Sequence, residues 1–477
     1  MTNERREGAR NNEICQELLK FYESILGSLE KIYREIAWNR ISSKNVRNEV
    51  EVLLGYRNQH SKHTESNVCL KTLVEDLETC NFDEFLEHLR RLSGKIFEVH
   101  GKGKGQYFGL SYEALYIFEY QLQAIKEIRD HLIHAFNVYL LGLISNLYLF
   151  AHKSAPKFAI YTENCSLKKI PLILPLEFSW LLSAMLHDVG YVYQKHELLK
   201  KALPYFYEFI DISNPGTLFP ILEPVFNMYG KIISENAKIA YNVYIDNPIM
   251  KAYLVKTFEQ RIKNVFVNSL VTRQDVHGAI SSYITLKIVF KENPFSKNYY
   301  WPLIYYEPII VGAFAQFYHS LVHATEKPSS IPILPTKGSN KPTINRISGY
   351  CYLLLLLLIF DEVVDFGRPT KGKNRSYWNL NDINFKDNYI EFTVKDCSEN
   401  TDNKCYRPKK RFFDVIRSKL SNIGLSIRDD EVIRVILSGM PFLREYYWCN
   451  NSPNTIIEIH IIKSSQETSI RFMLNDP

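Results

Sequence analysis

Apolar residues recur at intervals of three and four over the first hundred positions, as in Leu18-Leu19-Lys20-Phe21-Tyr22-Glu23-Ser24-Ile25-Leu26 and again from Phe82 to Phe97. That period predicts amphipathic helices. The polar stretch Asn58 to Asn67 reads as a loop between them. Leu115 to Phe150 is a longer helical pattern with no proline inside it, and Pro156 to Pro175 breaks it. An apolar helix is then expected at about 176–188, ending in Leu186-His187-Asp188-Val189-Gly190-Tyr191. Residues 200–265 read as mostly helical, punctuated by Pro215, Pro220, Pro224 and Pro248. Further helices are expected from Asp275 to Phe290, from Ile309 to Ala324 and over 345–366, the last stopping at Gly367-Arg368-Pro369.

The pattern changes after about residue 376. Tyr389 to Val394 alternates like a strand, and Ile456 to Ile462 with Thr468 to Met473 reads as a closing hairpin. Arg411 to Leu420 and Asp429 to Leu437 read as helices. The expected fold is mainly α. An N-terminal helical region spans 1–113 and a central helical region 114–375, with a helical insertion at about 195–270. A small α+β domain spans 376–477.

Composition narrows the function classes modestly. A net charge of +6 on 477 residues permits an anionic substrate but does not by itself argue for nucleic acid. The eight cysteines form no CxxC pair and read as scattered thiols of a reducing, cytoplasmic setting. The longest apolar run, Tyr350 to Phe360, is about half of what a membrane span needs, so a buried helix is expected and no membrane. His100-Gly101-Lys102-Gly103-Lys104-Gly105 could cradle a phosphate, but it lacks P-loop spacing and reads as a connector.

The chemistry is carried by histidines and aspartates at the ends of apolar runs. An imidazole and a carboxylate there are costly to desolvate unless something pairs with them, and a cation is one solution. His187-Asp188 has company. His131 and His134 lie in the long preceding helix, and His277 near the start of a later one. His319 and His323 are four apart and share a helix face. Asp361 follows Leu353 to Leu358 and Ile359-Phe360.

The ordered set His134, His187-Asp188, His277, His319 and Asp361 resembles the HD-domain superfamily of metal-dependent phosphohydrolases, over about residues 115–375. His134-Ala135-Phe136-Asn137-Val138 is similar to its first motif, a His followed four later by Val. Leu186-His187-Asp188 is similar to its second, and Asp361-Glu362-Val363-Val364-Asp365-Phe366-Gly367-Arg368 to a closing segment of many bacterial members.

The resemblance implies a HD-type helical bundle in which His134, His187, Asp188 and Asp361 hold one ion. His277 and His319 would serve a second, with Asp188 shared. His323 competes with His319, which the motif position favours, and His131 competes with His134, which Val138 favours. Mixed imidazole and carboxylate ligands suit Mn, Fe, Co, Ni or Zn, with Mg also admitted. The implied reaction is hydrolysis of a phosphomonoester or phosphodiester in a nucleotide or cyclic nucleotide, by attack of metal-bound hydroxide. Lys195 would neutralise the phosphate, with a solvated loop lysine as its alternative. Arg368 is a phosphate-binding candidate or a helix-end residue. Glu362 and Asp365 would support or cap the site.

Two other functions stay open. One is a nuclease acting on single-stranded DNA or RNA, helped by Arg407-Pro408-Lys409-Lys410-Arg411. The other is a non-catalytic nucleotide sensor or scaffold, which the intact ligand set disfavours. A homo-oligomer is compatible with either.

Overall fold

The computed structural model describes residues 2–36, 38, 44–56, 68–99, 131–151, 159–161, 167–169, 173–190, 277–278, 281, 285, 312, 315–316, 319, 345–348, 352–364, 378–396, 411–422, 425, 432–436, 456–464 and 467–475. Among them the chain is mainly α, with a small sheet that is antiparallel except at one edge. The expected loop at 58–67, the Gly-Lys stretch at 100–105 and the insertion at about 195–270 lie outside the described residues.

The N-terminal region is helical, as its periodicity predicts. Helices α1 (Thr2–Glu35), α2 (Lys44–Leu54), α3 (Leu70–Glu78) and α4 (Phe82–Val99) each bury one stripe. On α4 the buried set is Phe85, Leu86, Leu89, Leu92, Ser93, Ile96 and Phe97, the three-and-four spacing of a single face. Tyr22 of α1 joins these helices to the next. Its ring meets Phe85 edge-on at 5.6 Å and stacks with Phe136 at 6.5 Å. Phe136 belongs to α5 (His131–Ala151). This helix is long and apolar enough to cross a membrane, yet its apolar window is wholly buried inside the protein.

Two short antiparallel strands, β1 (Ala159–Tyr161) and β2 (Leu167–Lys169), precede α6 (Ile173–Leu186), which gives way to a turn at residues 187–190. The close approach of α5 and α6 depends on Gly142. A Cβ there would lie 2.0 Å from the Trp180 ring. Without one, the indole packs against α5 at Gly142 and donates to the Tyr139 carbonyl at 2.9 Å.

Strand β3 (Asn345–Ser348) leads into α7 (Tyr352–Val363), whose residues Tyr352 to Phe360 are all buried. The helix expected over 345–366 therefore begins later. Residues 345–348 instead pair in parallel with a distant strand, where a partner's ladder satisfies their backbone groups, and Gly349 separates the two elements. Tyr352 donates to Asn146 of α5 at 2.8 Å, one of few polar ties in this apolar contact.

The C-terminal part supplies β4 (Trp378–Phe385), β5 (Tyr389–Asp396), α8 (Phe412–Asn422), β6 (Val432–Ile436), β7 (Ile456–Lys463) and β8 (Glu467–Asn475). The strand order is β3-β6-β7-β8-β5-β4. A helix was expected at 429–437, but β6 lies there. Val432-Ile433-Arg434-Val435-Ile436 is mostly β-branched and buries Ile433 and Val435 on alternate positions; so short a run fits either period until a partner strand decides it. One sheet face is mostly apolar, with Ile390, Phe392, Val394, Ile433, Val435, Ile457, Ile459, Ile461, Ile470 and Phe472 buried on it beside Thr468.

That face packs on the helices. Phe360 of α7 sits 5.1 Å from Phe392 and 5.6 Å from Phe472. Tyr148 of α5 meets Phe385 of β4 at 5.3 Å. Contacts thus cross the position 375–376 expected as a boundary, and β3 from before it joins the sheet after it. Phe360→Ala is expected to lower the unfolding free energy by about 3–5 kcal/mol, the usual cost of emptying a core aromatic site. Equilibrium denaturation measures it; a loss under about 1 kcal/mol would mean that the sheet does not lean on α7.

Candidate metal centre

Each functional side chain stands on or just beyond an apolar helix. His134 lies one turn inside α5, and His187 and Asp188 occupy the turn that ends α6. Asp361 lies in the last turn of α7. His277 and His319 come from two further helical segments, of which the described positions are 277–278, 281 and 285, and 312, 315–316 and 319. All these side chains are buried except Asp361, which keeps 17% of its surface.

They converge. Asp361 Oδ1 accepts from His134 Nε2 at 2.8 Å and lies 3.7 Å from His187 Nε2. Asp188 Oδ1 faces three imidazoles, at 3.3 Å from His187 Nε2, 3.4 Å from His277 Nε2 and 3.9 Å from His319 Nε2. His277 Nε2 and His319 Nε2 are 3.0 Å apart. The ligand atoms of His134, His187 and Asp361 lie within 4.8 Å of one another, and so do those of His187, Asp188 and His319.

The outer atoms of the rings are fixed. His187 Nδ1 lies 2.6 Å from the Ala184 carbonyl, and His319 Nδ1 lies 2.5 Å from the Gln316 carbonyl. A carbonyl only accepts, so each Nδ1 carries the hydrogen, and in the neutral ring Nε2 presents a lone pair. Buried His187 Nε2 makes no hydrogen bond among the described residues. Two nitrogens held about 2.0–2.1 Å from one ion stand roughly 2.9–3.4 Å apart, which the 3.0 Å between His277 and His319 matches. The donor set therefore fits divalent transition metals, with imidazole nitrogens oriented by backbone carbonyls as in many metal sites.

A polar network holds these segments together. Ser281 donates to the His187 carbonyl at 2.6 Å and accepts from Gly190 N–H at 2.7 Å. Gln316 donates to the Leu182 carbonyl at 2.6 Å and accepts from Thr285 at 2.9 Å. Ser281 and Thr285 stand one and two turns beyond His277, and Gln316 one turn before His319. The segments bearing His277 and His319 are thereby tied to α6 and its turn. Gly190 makes room for the approach, since a Cβ there would lie 1.8 Å from the His277 carbonyl oxygen.

Electrostatics follow the crowding. Burial would raise the Asp188 carboxyl, but His187, His131, His277 and His134 outweigh it and hold the group well below the ordinary carboxylate range. Asp361 behaves alike: burial raises it, and Lys419, His134 and His187 bring it far down. Burial lowers His187, while Asp188 and Asp361 more than compensate and raise it. His319 is depressed by burial and by the neighbouring His277 and His187, which keeps it in the neutral form that ligates metal.

The structure brings together His134, His187, Asp188, His277, His319 and Asp361. It also puts buried His131 close enough for its charge to act on Asp188. Lys195, His323, Arg368 and Asp365 lie outside the described residues. Sequence reasoning missed Lys419 of α8, whose Nζ lies 2.9 Å from Asp361 Oδ2 and also contacts Glu362 Oε1. A signal was there. Phe412, Ile416 and Lys419 are spaced four and three, so the lysine falls on the buried stripe of its helix. Ser281 and Gln316 carry no comparable signal.

Compared with protein-family models, curated proteins and solved structures, the chain matches none.

Gly190→Ala is expected to push the His277 segment away from Asp188. Overpacking of this kind costs about 1–3 kcal/mol, and affinity for Mn(II) should fall at least tenfold. Thermal unfolding with and without Mn(II) measures both, and unchanged metal stabilisation would contradict the arrangement.

Proposed function

We propose that the chain is a metal-dependent phosphohydrolase of the HD type. Its substrate would be a phosphomonoester or phosphodiester in a nucleotide or cyclic nucleotide. The observation that carries this reading is the convergence of four imidazoles and two carboxylates, with the Nδ1 atoms of His187 and His319 committed to carbonyls. The motif resemblance supports it from the sequence side, with α5, α6, α7 and the segments bearing His277 and His319 as the helical core.

His134, His187 and Asp361 would hold one divalent ion; Asp188 and His319, which group with His187, would hold the other together with the adjacent His277. When bound, such ions supply Lewis acidity and make water a nucleophile near neutral pH. The chain's own contribution is geometric and electrostatic. Carbonyls of Ala184 and Gln316 keep the rings of His187 and His319 turned inward. The surrounding core excludes water from the back of the site, since Trp180, Leu182, Leu186 and Phe360 are fully buried. The carboxylates remain ionised across the physiological range, so they accept cations without first losing a proton.

Elemental analysis of purified protein, followed by turnover assays with Mn(II) on nucleotides, cyclic dinucleotides and oligonucleotides, tests the reading. Asp188→Ala is expected to abolish metal content and to lower kcat by at least a thousandfold. Wild-type protein that binds no divalent ion would sink it. Turnover confined to oligonucleotides, with affinity falling steeply as salt rises, would favour the nuclease instead.

A further inference from the structure

Resting on the metal-centre reading, we propose that Lys419 is a positioning residue that sets the coordination mode of Asp361 and hence the metal preference of the site. The lysine comes from α8, within the C-terminal part that the motif resemblance leaves out. Its ammonium is nearly buried, with 7% of the side chain exposed, and it bridges Asp361 Oδ2 and the Glu362 carboxylate. A buried ammonium is costly unless paired, and here both partners sit at the metal-facing end of α7.

The consequence is division of labour between the two oxygens of one carboxylate. Asp361 Oδ2 is taken by Lys419 at 2.9 Å, while Oδ1 faces His134 and His187. Asp361 can therefore offer an ion one oxygen, not two. Glu362, next in the chain, is held on the lysine as well and kept out of the ligand set. The site stays rich in nitrogen and poor in oxygen, a balance that favours Co, Ni or Zn over Mn or Mg.

The C-terminal part grips this end of α7 in other ways. The Trp378 indole donates to the Glu362 carbonyl at 2.8 Å, and the Trp378 ring packs on Phe412 of α8. Phe360, just before Asp361, is clamped by Phe392 and Phe472. The residues on either side of Asp361 are thus fixed by β4, β5 and β8, and its spare oxygen by α8. The C-terminal sheet and helix act as the back wall of the metal centre.

The test compares Lys419→Met, which keeps the apolar stem, with Lys419→Arg, which keeps the charge, in the full-length protein stripped of metal. Dissociation constants for Co(II) and Mn(II) are measured by titration, with Mn(II) followed by electron paramagnetic resonance. Lys419→Met is expected to shift the Co/Mn affinity ratio at least tenfold toward Mn, as Asp361 becomes bidentate or Glu362 enters the coordination sphere. Lys419→Arg should hold the ratio within threefold of wild type. If Lys419→Met fails to fold, Lys419→Met with Glu362→Gln removes the uncompensated charge and should still move the ratio toward Mn through Asp361. An unchanged ratio in the folded lysine-free variant, or an arginine variant that shifts as far, overturns the proposal while the metal centre stands. Wild-type protein that binds neither ion overturns both.

Discussion

Two carboxylates, buried Asp188 and mostly covered Asp361, lie where α6 and α7 end beside the start of α5, and the fold around them is arranged to answer their charge. An isolated carboxylate in such surroundings would be neutralised by a proton or expelled to water. Neither happens, because the described residues that act on them include the cations or potential cations His131, His134, His187, His277, His319 and Lys419. The imidazoles cannot all be protonated at once, since burial and His277, 3.0 Å away, depress His319. Under the proposed function, a divalent ion would take the place of protons among these side chains.

This constraint explains features that look unrelated. Gly142 lets α5 and α6 touch, so that His134 comes within reach of the turn after α6. Gly190 does the same for the His277 segment. Ser281, Thr285 and Gln316 place hydrogen bonds between segments far apart in sequence; those of Ser281 and Gln316 reach Leu182, His187 and Gly190 on α6 or its turn, and Thr285 supports Gln316. Buried polar networks of this kind are worth keeping only when every member is satisfied. Their density around α6 indicates that this turn is held to one geometry, which is what a candidate ligand pair on adjacent residues requires.

The helical elements were legible because their periodicity is long and regular, as in α1, α4 and α5. The His and Asp positions were legible because such groups are out of place at the ends of apolar runs, and because their order resembles a known motif set. Short strands were not. Residues 345–348 and 432–436 are too brief to carry a period, and their partners lie 88 positions apart in the register that pairs Asn345 with Ile433. Nothing local announces such a pairing. Lys419 was passed over for a similar reason. Its meaning comes from Asp361, 58 residues earlier, and only the helix stripe on which it lies hinted that it was buried.

The sheet is the part of the molecule that the motif reading had no use for, yet it is built against the site. Its apolar face lies on Phe360, one residue before the candidate ligand Asp361, and β4 bonds to the backbone one residue after it. A helix terminus frays easily because its last carbonyls lack partners within the helix. Here the last turn of α7 carries Asp361, and Trp378 takes up the Glu362 carbonyl that would otherwise be left to water. The C-terminal elements therefore convert the weakest part of α7 into its best-held part. A ligand on a fraying turn would spend entropy each time it bound an ion; on a pinned turn that cost is met when the chain folds.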